Sequence, residues 1–268
     1  MSEGTSLDLS WEGSVAVLTL SRPGVLNALD QDLVCSLIET LRSLGTDPSV
    51  QALVLTGEGS AFVAGADIAF MEAATLRQFR AFVEDLQELT RILLHSETPV
   101  IAALNGTAVG AGCEIACACD FRIAGRTAVL GFPEARLGLV VTSGASHLLP
   151  RLVGRGWARR LLLTGEMVSA EEAQRIGLVD GVFEPEEVLP AALRLGLQLA
   201  ECEPLALRLS RSLLDSGAES SLETALHYEV EAILSCISEG QAKEGLRAFL
   251  EKREPRYERV RAAEKVPL

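Results

Sequence analysis

Two glutamates sit among apolar neighbours, and that placement makes them candidates for moving protons. Glu114 interrupts the glycine-rich run Val109-Gly110-Ala111-Gly112-Cys113-Glu114-Ile115-Ala116-Cys117, and Glu134 follows Gly131-Phe132-Pro133, where a short apolar stretch turns. Burying a carboxylate in such surroundings is costly unless it is paired, hydrogen-bonded or protonated. Two carboxyls with separately tuned pKa values are usual equipment for acid/base chemistry at neutral pH. The plainer alternative puts Glu114 in the first turn of a helix, stabilised by the dipole, and Glu134 on a surface loop.

The glycines around Glu114 offer a second ingredient. A Gly110-Ala111-Gly112 hinge at a helix start turns backbone N–H groups toward a ligand, and Ala64-Gly65-Ala66-Asp67 offers another such turn. Two amides from separate loops aimed at one carbonyl oxygen would stabilise a developing enolate. Two ordinary tight turns are the competing reading. Other chemistries are excluded more firmly. No Gly-Lys pair exists for a phosphate-binding loop, and no Gly-x-Ser-x-Gly elbow is present. Ser146 and His147 are adjacent, so they point apart. The Gly110-x-Gly112 start of a dinucleotide loop fails at Ile115, where a small residue is required. Cys113, Cys117 and Cys119 lack Cys-x-x-Cys spacing and a nearby histidine, so they read as small core residues and no metal site is expected.

The elements that must position these residues follow from periodicity. Leu7–Trp11 and Val15–Leu20 read as strands, and Leu33, Leu37, Leu41 and Leu44 mark an amphipathic helix closed by Asp47-Pro48. Val50–Leu55 and Thr98–Asn105 read as buried strands. Thr75 to about Leu94 reads as a long helix with Phe79, Phe82, Leu86, Leu89 and Leu93 on one face. A short helix opens after Gly110, and strands return at Asp120–Ala124 and Ala128–Gly131. From Val188 onward the pattern is helical, with segments 189–200, 205–214, 222–237 and 241–251. These readings predict an α/β core over residues 1–200 and a helical region over residues 201–268.

Composition bounds the rest. The 268 residues are 48% apolar and 23% charged, as in an ordinary globular chain. The formal net charge of −13 argues against nucleic acid or an anionic membrane as a general partner. Arg151, Arg155 and Arg159 have i, i+4 spacing and read as a solvated face rather than a basic binding stripe. No apolar run reaches the roughly 20 residues of a membrane span. The first residues lack a basic segment followed by an apolar one, so a cytoplasmic location is expected.

Several segments taken together carry a specific likeness. Ala61-Phe-Val-Ala-Gly-Ala-Asp-Ile68, Asn105 through Ala124 and Gly131-Phe-Pro-Glu-Ala-Arg-Leu-Gly-Leu139 resemble the enoyl-CoA hydratase/isomerase (crotonase) family. Arg22-Pro-x-x-Leu-Asn-Ala-Leu29, Leu163-Thr-Gly-Glu-x-x-Ser-Ala-x-Glu-Ala173 and Ala248-Phe-Leu-Glu-Lys-Arg253 extend the match over nearly the whole chain, in the expected order.

The resemblance implies a spiral of β-β-α turns with a helical C-terminal trimerisation region. It implies an acyl-CoA thioester as ligand and a homo-oligomer, a trimer or a pair of trimers. No cofactor is implied, coenzyme A being part of the substrate. The thioester oxygen would lie between the amides of Ala66 and Ala111, with Glu114 and Glu134 as the hydratase glutamates. Arg22, Val25, Ala28, Ala64, Asp67, Ile68 and Gly110 would contact the substrate. Phe249 and Lys252 would close over it, the lysine near the CoA phosphates. The implied reaction is addition of water to a 2-enoyl-CoA. The alternatives are a β,γ to α,β isomerase, or a non-catalytic acyl-CoA-binding or RNA-associated scaffold. The chain departs from the family's usual Pro-Gly-x-Gly-Gly-Thr with Val140-Val-Thr-Ser-Gly-Ala145. It also carries Gly24 and Ser60 where relatives often have lysines.

Overall fold

A computed structural model describes residues 6–217 and 219–257. Among the described residues the strands form two sheets, and the chain winds between them. Strands β1 (Leu7–Glu12) and β2 (Val15–Leu20) make an antiparallel hairpin, and helix α1 (Gln31–Gly45) follows. The next turn supplies β3 (Ala52–Gly57), the short β4 (Ala61–Val63), then α2 (Ile68–Ala73) and α3 (Leu76–His95). The one after it supplies β5 (Val100–Leu104), β6 (Thr107–Val109) and α4 (Ala111–Ala118). A further turn supplies β7 (Phe121–Gly125), β8 (Val129–Gly131), a 3-10 turn (Pro133–Leu137) and α5 (Ala145–Thr164). Strand β9 (Met167–Ser169), α6 (Ala170–Arg175), β10 (Gly181–Phe183) and α7 (Val188–Ala200) complete the core.

Strands β1 and β2 both join a six-stranded sheet ordered β1-β2-β3-β5-β7-β10. In the next three turns the first strand joins that sheet and the second a four-stranded sheet ordered β4-β6-β8-β9. The last turn reverses this, β9 joining the smaller sheet and β10 the larger. This is the expected spiral of β-β-α turns. Strands within it pair in parallel from β2 to β10 and from β4 to β8. Parallel strands covered on both faces read as continuous apolar runs, which is why β3 and β5 are buried at every position. The edge strand β1 alternates instead, with Leu7, Leu9 and Trp11 turned inward and Asp8, Ser10 and Glu12 outward. Residues Ala16, Leu18 and Leu20 of β2 enter the main core with α1 and α3. Val15 and Val17 face Val188, Ala191 and Ala192 of α7 across the sheet.

Local chemistry sets the helix boundaries. The Asp30 side chain accepts the Leu33 N–H at 2.9 Å and caps α1, while Thr75 and Gln78 form a reciprocal capping box on α3. The sequence reading missed α2 and α5. Pro150 and Gly154 mask α5, and Gly154 takes a non-helical φ of 74° within it. Arg151 and Arg155 are therefore not separated by one regular turn, although Arg151, Arg155 and Arg159 all remain exposed. The C-terminal helices α8 (Pro204–Gly217), α9 (Leu222–Ser238) and α10 (Ala242–Glu251) follow the expected boundaries closely. Neither α8 nor α9 has a buried residue. No helix of the described residues is long and apolar enough to cross a membrane.

One buried side chain ties the first turn of the spiral to the second. Leu26 and Asn27 both adopt left-handed backbone, φ 54° and 58°. Asn27 is fully buried; its amide donates to Glu58 O at 3.0 Å and Ala61 O at 2.8 Å and accepts the Arg22 N–H at 2.9 Å. Asn27→Ala removes three hydrogen bonds and the residue type best suited to that backbone. It should lower the unfolding free energy by about 2–4 kcal/mol in urea titrations. A loss below about 1 kcal/mol, the usual worth of one hydrogen bond, would show that the loop does not depend on this side chain.

Candidate active site

The four-stranded sheet brings two helix starts side by side. Strands β4 and β6 pair in parallel, Ala61 with Thr107 and Val63 with Ala108, and each runs into a turn of small residues that opens a helix. After β4 the turn is Ala64-Gly65-Ala66-Asp67, with Asp67 capping α2 by accepting the Ala69 and Phe70 N–H groups at 3.0 and 3.2 Å. Leu29 braces it, donating to Gly65 O at 2.9 Å and accepting the Asp67 N–H at 2.7 Å. This leaves the intervening Ala66 amide unused. After β6 the turn is Gly110 alone, at φ 54° and ψ −123°, and Ala111 begins α4. Among the described residues neither the Ala66 nor the Ala111 N–H donates to a protein acceptor. Helix α4 also runs hard against β4: a Cβ on Gly112 would stand 2.1 Å from Val63 O.

The two glutamates lie at this junction in unlike surroundings. Glu114 is 2% exposed, on the first turn of α4, as the plainer sequence reading placed it. It nonetheless faces the cavity. Its Oε1 accepts the Thr142 N–H at 2.7 Å and its Oε2 the Thr142 hydroxyl at 3.0 Å. Burial pushes its pKa up, against the Thr142 N–H and the Ser143 and Thr142 hydroxyls, which hold it down. Glu134 is half-buried in the 3-10 turn, so it is not a free surface residue. Its Oε2 is buried with no hydrogen-bond partner among the described residues. Burial pushes its pKa up to about 7, opposed by its own backbone N–H and reinforced by the charge of Glu114. The φ of 54° favours glycine at position 110, and a Cβ there would sit 2.8 Å from Glu134 Oε1 and displace that carboxyl.

A cavity of about 170 Å³ joins these groups. The two free amides, Ala64, Gly110, Ile68, Glu114, Glu134 and Thr142 line it, and Phe79, Phe82, Val83 and Leu86 of α3 close one wall. A largely apolar concave site with a few convergent polar groups is the usual form of a small-molecule pocket. Not every expected contact is gathered here. The Arg22 guanidinium is already engaged by Asp30 at 2.9 Å, Asp67 at 3.5 Å and the Ala28 carbonyl. Within this chain it reads as a brace for the Ala66 turn. Val25 is exposed on the neighbouring loop, and neither it nor Ala28 lines the cavity. Phe249 and Lys252 are exposed at the end of α10, and neither lines the cavity of its own chain. Sequence reasoning missed Thr142 as a partner of Glu114, since a hydroxyl in a loop carries no spacing signal.

A family model described as enoyl-CoA hydratase/isomerase matches residues 10–260. The chain belongs to the enoyl-CoA hydratase/isomerase family. Curated relatives of that family include a crotonyl-CoA hydratase of Syntrophomonas wolfei, 41% identical over 93% of this chain and 96% of its own. A short-chain-enoyl-CoA hydratase of Clostridium acetobutylicum is also 41% identical, over 91% and 94% respectively. Among solved structures, an enoyl-CoA hydratase from Bacillus anthracis superposes with a TM-score of 0.92 at 34% identity, covering 94% of this chain and 99% of its own. The spiral is thus the crotonase fold of the family.

The contrast between the two carboxyls is measurable. With glutamate labelled at the side-chain carboxyl carbon, the Glu134 resonance should titrate near pH 7. In Glu114→Gln that midpoint should fall, because a like charge that disfavours the ionised form has gone. An unmoved midpoint would show that the two carboxyls do not sense each other.

Proposed function

We propose that this chain is an enoyl-CoA hydratase acting on short 2-enoyl-CoA thioesters. The observation that carries the reading is the pairing of two differently held carboxyls with two free amides around one apolar cavity. The thioester oxygen accepts from the Ala66 and Ala111 N–H groups. Glu114, gripped as an acceptor, takes a proton from water as its oxygen adds to the β-carbon. The electron pair of the double bond moves toward the thioester oxygen, where the two amides stabilise the enolate. Glu134, whose proton is held up to about pH 7, delivers it to the α-carbon. The product gains one water in all, and return of the proton from Glu114 to Glu134 resets the pair. This sequence uses no cofactor, because coenzyme A belongs to the substrate.

The cavity supports a short acyl tail. Its 170 Å³ is close to the apolar cavity of about 150 Å³ that holds one benzene, which suits a tail of about four to six carbons. The names of the Syntrophomonas and Clostridium relatives point the same way. We also assign residues 201–268 to oligomerisation, as a trimer or pair of trimers of a cytoplasmic enzyme. Leu222, Leu226, Ile233, Leu234 and Phe249 are exposed on helices that bury little in the single chain, and surface of this kind marks an interface. With Arg22 engaged by Asp30 and Asp67, Lys252 on α10 becomes the candidate cation for the CoA phosphates.

Glu114→Gln and Glu134→Gln should each lower hydration of crotonyl-CoA, followed by loss of its conjugated absorbance, by at least ~10²-fold. Full activity in either variant would sink the two-carboxyl mechanism, and sensitivity at only one position would favour a double-bond isomerase. Removing residues after Ser238 should cost activity and substrate affinity together while leaving both glutamates in place. A truncated chain that sizes as a monomer and keeps its Michaelis constant would refute the shared-site assignment.

A further inference from the structure

Glu114 is gripped at both oxygens by a single residue. The Thr142 N–H reaches Oε1 at 2.7 Å and the Thr142 hydroxyl reaches Oε2 at 3.0 Å. The Ser143 hydroxyl lies 3.4 Å from that of Thr142, and Ser143 itself is fully buried. The loop that carries them is fastened on two sides. Thr90 of α3 donates to Ser143 O at 3.1 Å, and Gly144, left-handed at φ 76°, starts α5 directly afterwards.

We infer that Thr142 is a positioning residue for the hydration proposed above, its N–H and hydroxyl together fixing the plane of the Glu114 carboxylate and holding it as the proton acceptor of the pair. An N–H can only donate, so Oε1 is committed as an acceptor. Each oxygen keeps a second lone pair, and a proton taken from water that lands on Oε2 meets the Thr142 hydroxyl there. The hydroxyl can turn to accept, which lets Glu114 carry the proton without losing its orientation. The Ser143 hydroxyl also favours the ionised form of Glu114, and the other groups that face it are few. Helix α3 presents Phe82, Val83 and Leu86 to the cavity, and the 3-10 turn presents Glu134. On α4 itself Cys113 and Cys117 are buried thiols. The hydrogen bond with the Cys117 thiol and then burial raise Cys113 well above the usual thiol range, so it stays uncharged. Glu134 is therefore the titrating neighbour, and its charge opposes ionisation of Glu114 where the Thr142 donors favour it.

The inference rests on the hydratase reading for its role in turnover, and the test separates the two. Thr142→Val keeps the N–H and the side-chain shape and deletes the hydroxyl; Thr142→Ala deletes it without crowding the loop. With carboxyl-labelled glutamate and Glu114→Gln to assign the resonance, the Glu114 midpoint should rise by roughly one pH unit in both variants, the scale of one hydrogen bond to a charged group. The acidic limb of crotonyl-CoA hydration should rise by the same interval, with kcat/KM on that limb falling toward roughly tenfold below the parent and the Michaelis constant unchanged. Thr142→Ser should restore both. Folded variants with unchanged melting curves and an unmoved Glu114 midpoint would overturn the assignment. So would a shifted midpoint with an unshifted activity profile. A parent chain that does not hydrate crotonyl-CoA would refute the hydratase reading instead, and the titration would still decide whether Thr142 holds Glu114.

Discussion

The near-contact of α4 with β4 is the constraint from which the rest of the site follows. A helix can begin that close to a neighbouring strand only where the side chain is absent, and Gly112 stands with no room for a Cβ against Val63 O. The approach puts the first amide of α4 beside the turn that leaves β4, so Ala111 and Ala66 come to line one cavity. Parallel pairing of β4 with β6, with one register shift between Ala61 and Val63, makes the two turns neighbours. The loops behind them are stitched from the other side. Asn27 and Asn105 both donate to Ala61 O, at 2.8 and 3.3 Å, which holds the entry to β4. Backbone donors are stiff when their strands are stiff, and an amide that need not reorganise stabilises developing charge most effectively.

The same geometry treats the two carboxyls unequally. Glu114 projects from a helix whose N-terminal dipole favours an anion, and a loop folds over it with donors for both oxygens. Glu134 comes from a short 3-10 turn that supplies little beyond its own backbone, and one of its oxygens has no partner among the described residues. Burial raises both carboxyls, and only over Glu114 do donors from a neighbouring loop oppose that rise. The asymmetry here comes from who donates to whom, since both groups are substantially removed from water.

Much of this was legible from the chain. Buried parallel strands announce themselves as apolar runs, and α1, α3 and the C-terminal helices follow their leucine spacing and their caps. Glu114 and Glu134 could be found because a carboxylate in an apolar run is unusual enough to require a reason. Helix α5 was illegible because Pro150 and Gly154 interrupt its pattern, and its continuity comes from packing. Thr142 was illegible because its partner lies 28 residues away, a relation that only the fold creates. Arg22 shows a pairing that the sequence does not reveal. A cation beside a ligand site suggests a phosphate, yet two aspartates that cap neighbouring helices already claim it.

The unpartnered oxygen of Glu134 has a consequence for the whole molecule. The folded chain holds that proton up to about pH 7, whereas a carboxyl in an unfolded chain releases it near its ordinary 4.5. Between those values the native state binds more protons than the denatured one, so by linkage stability falls as the pH rises through that window and stays lower above it. The pH range over which Glu134 gives up its proton is therefore the range over which the fold is loosened from its own centre. A single carboxyl couples the global unfolding equilibrium to acidity, and a chain carrying glutamine there would lose that coupling.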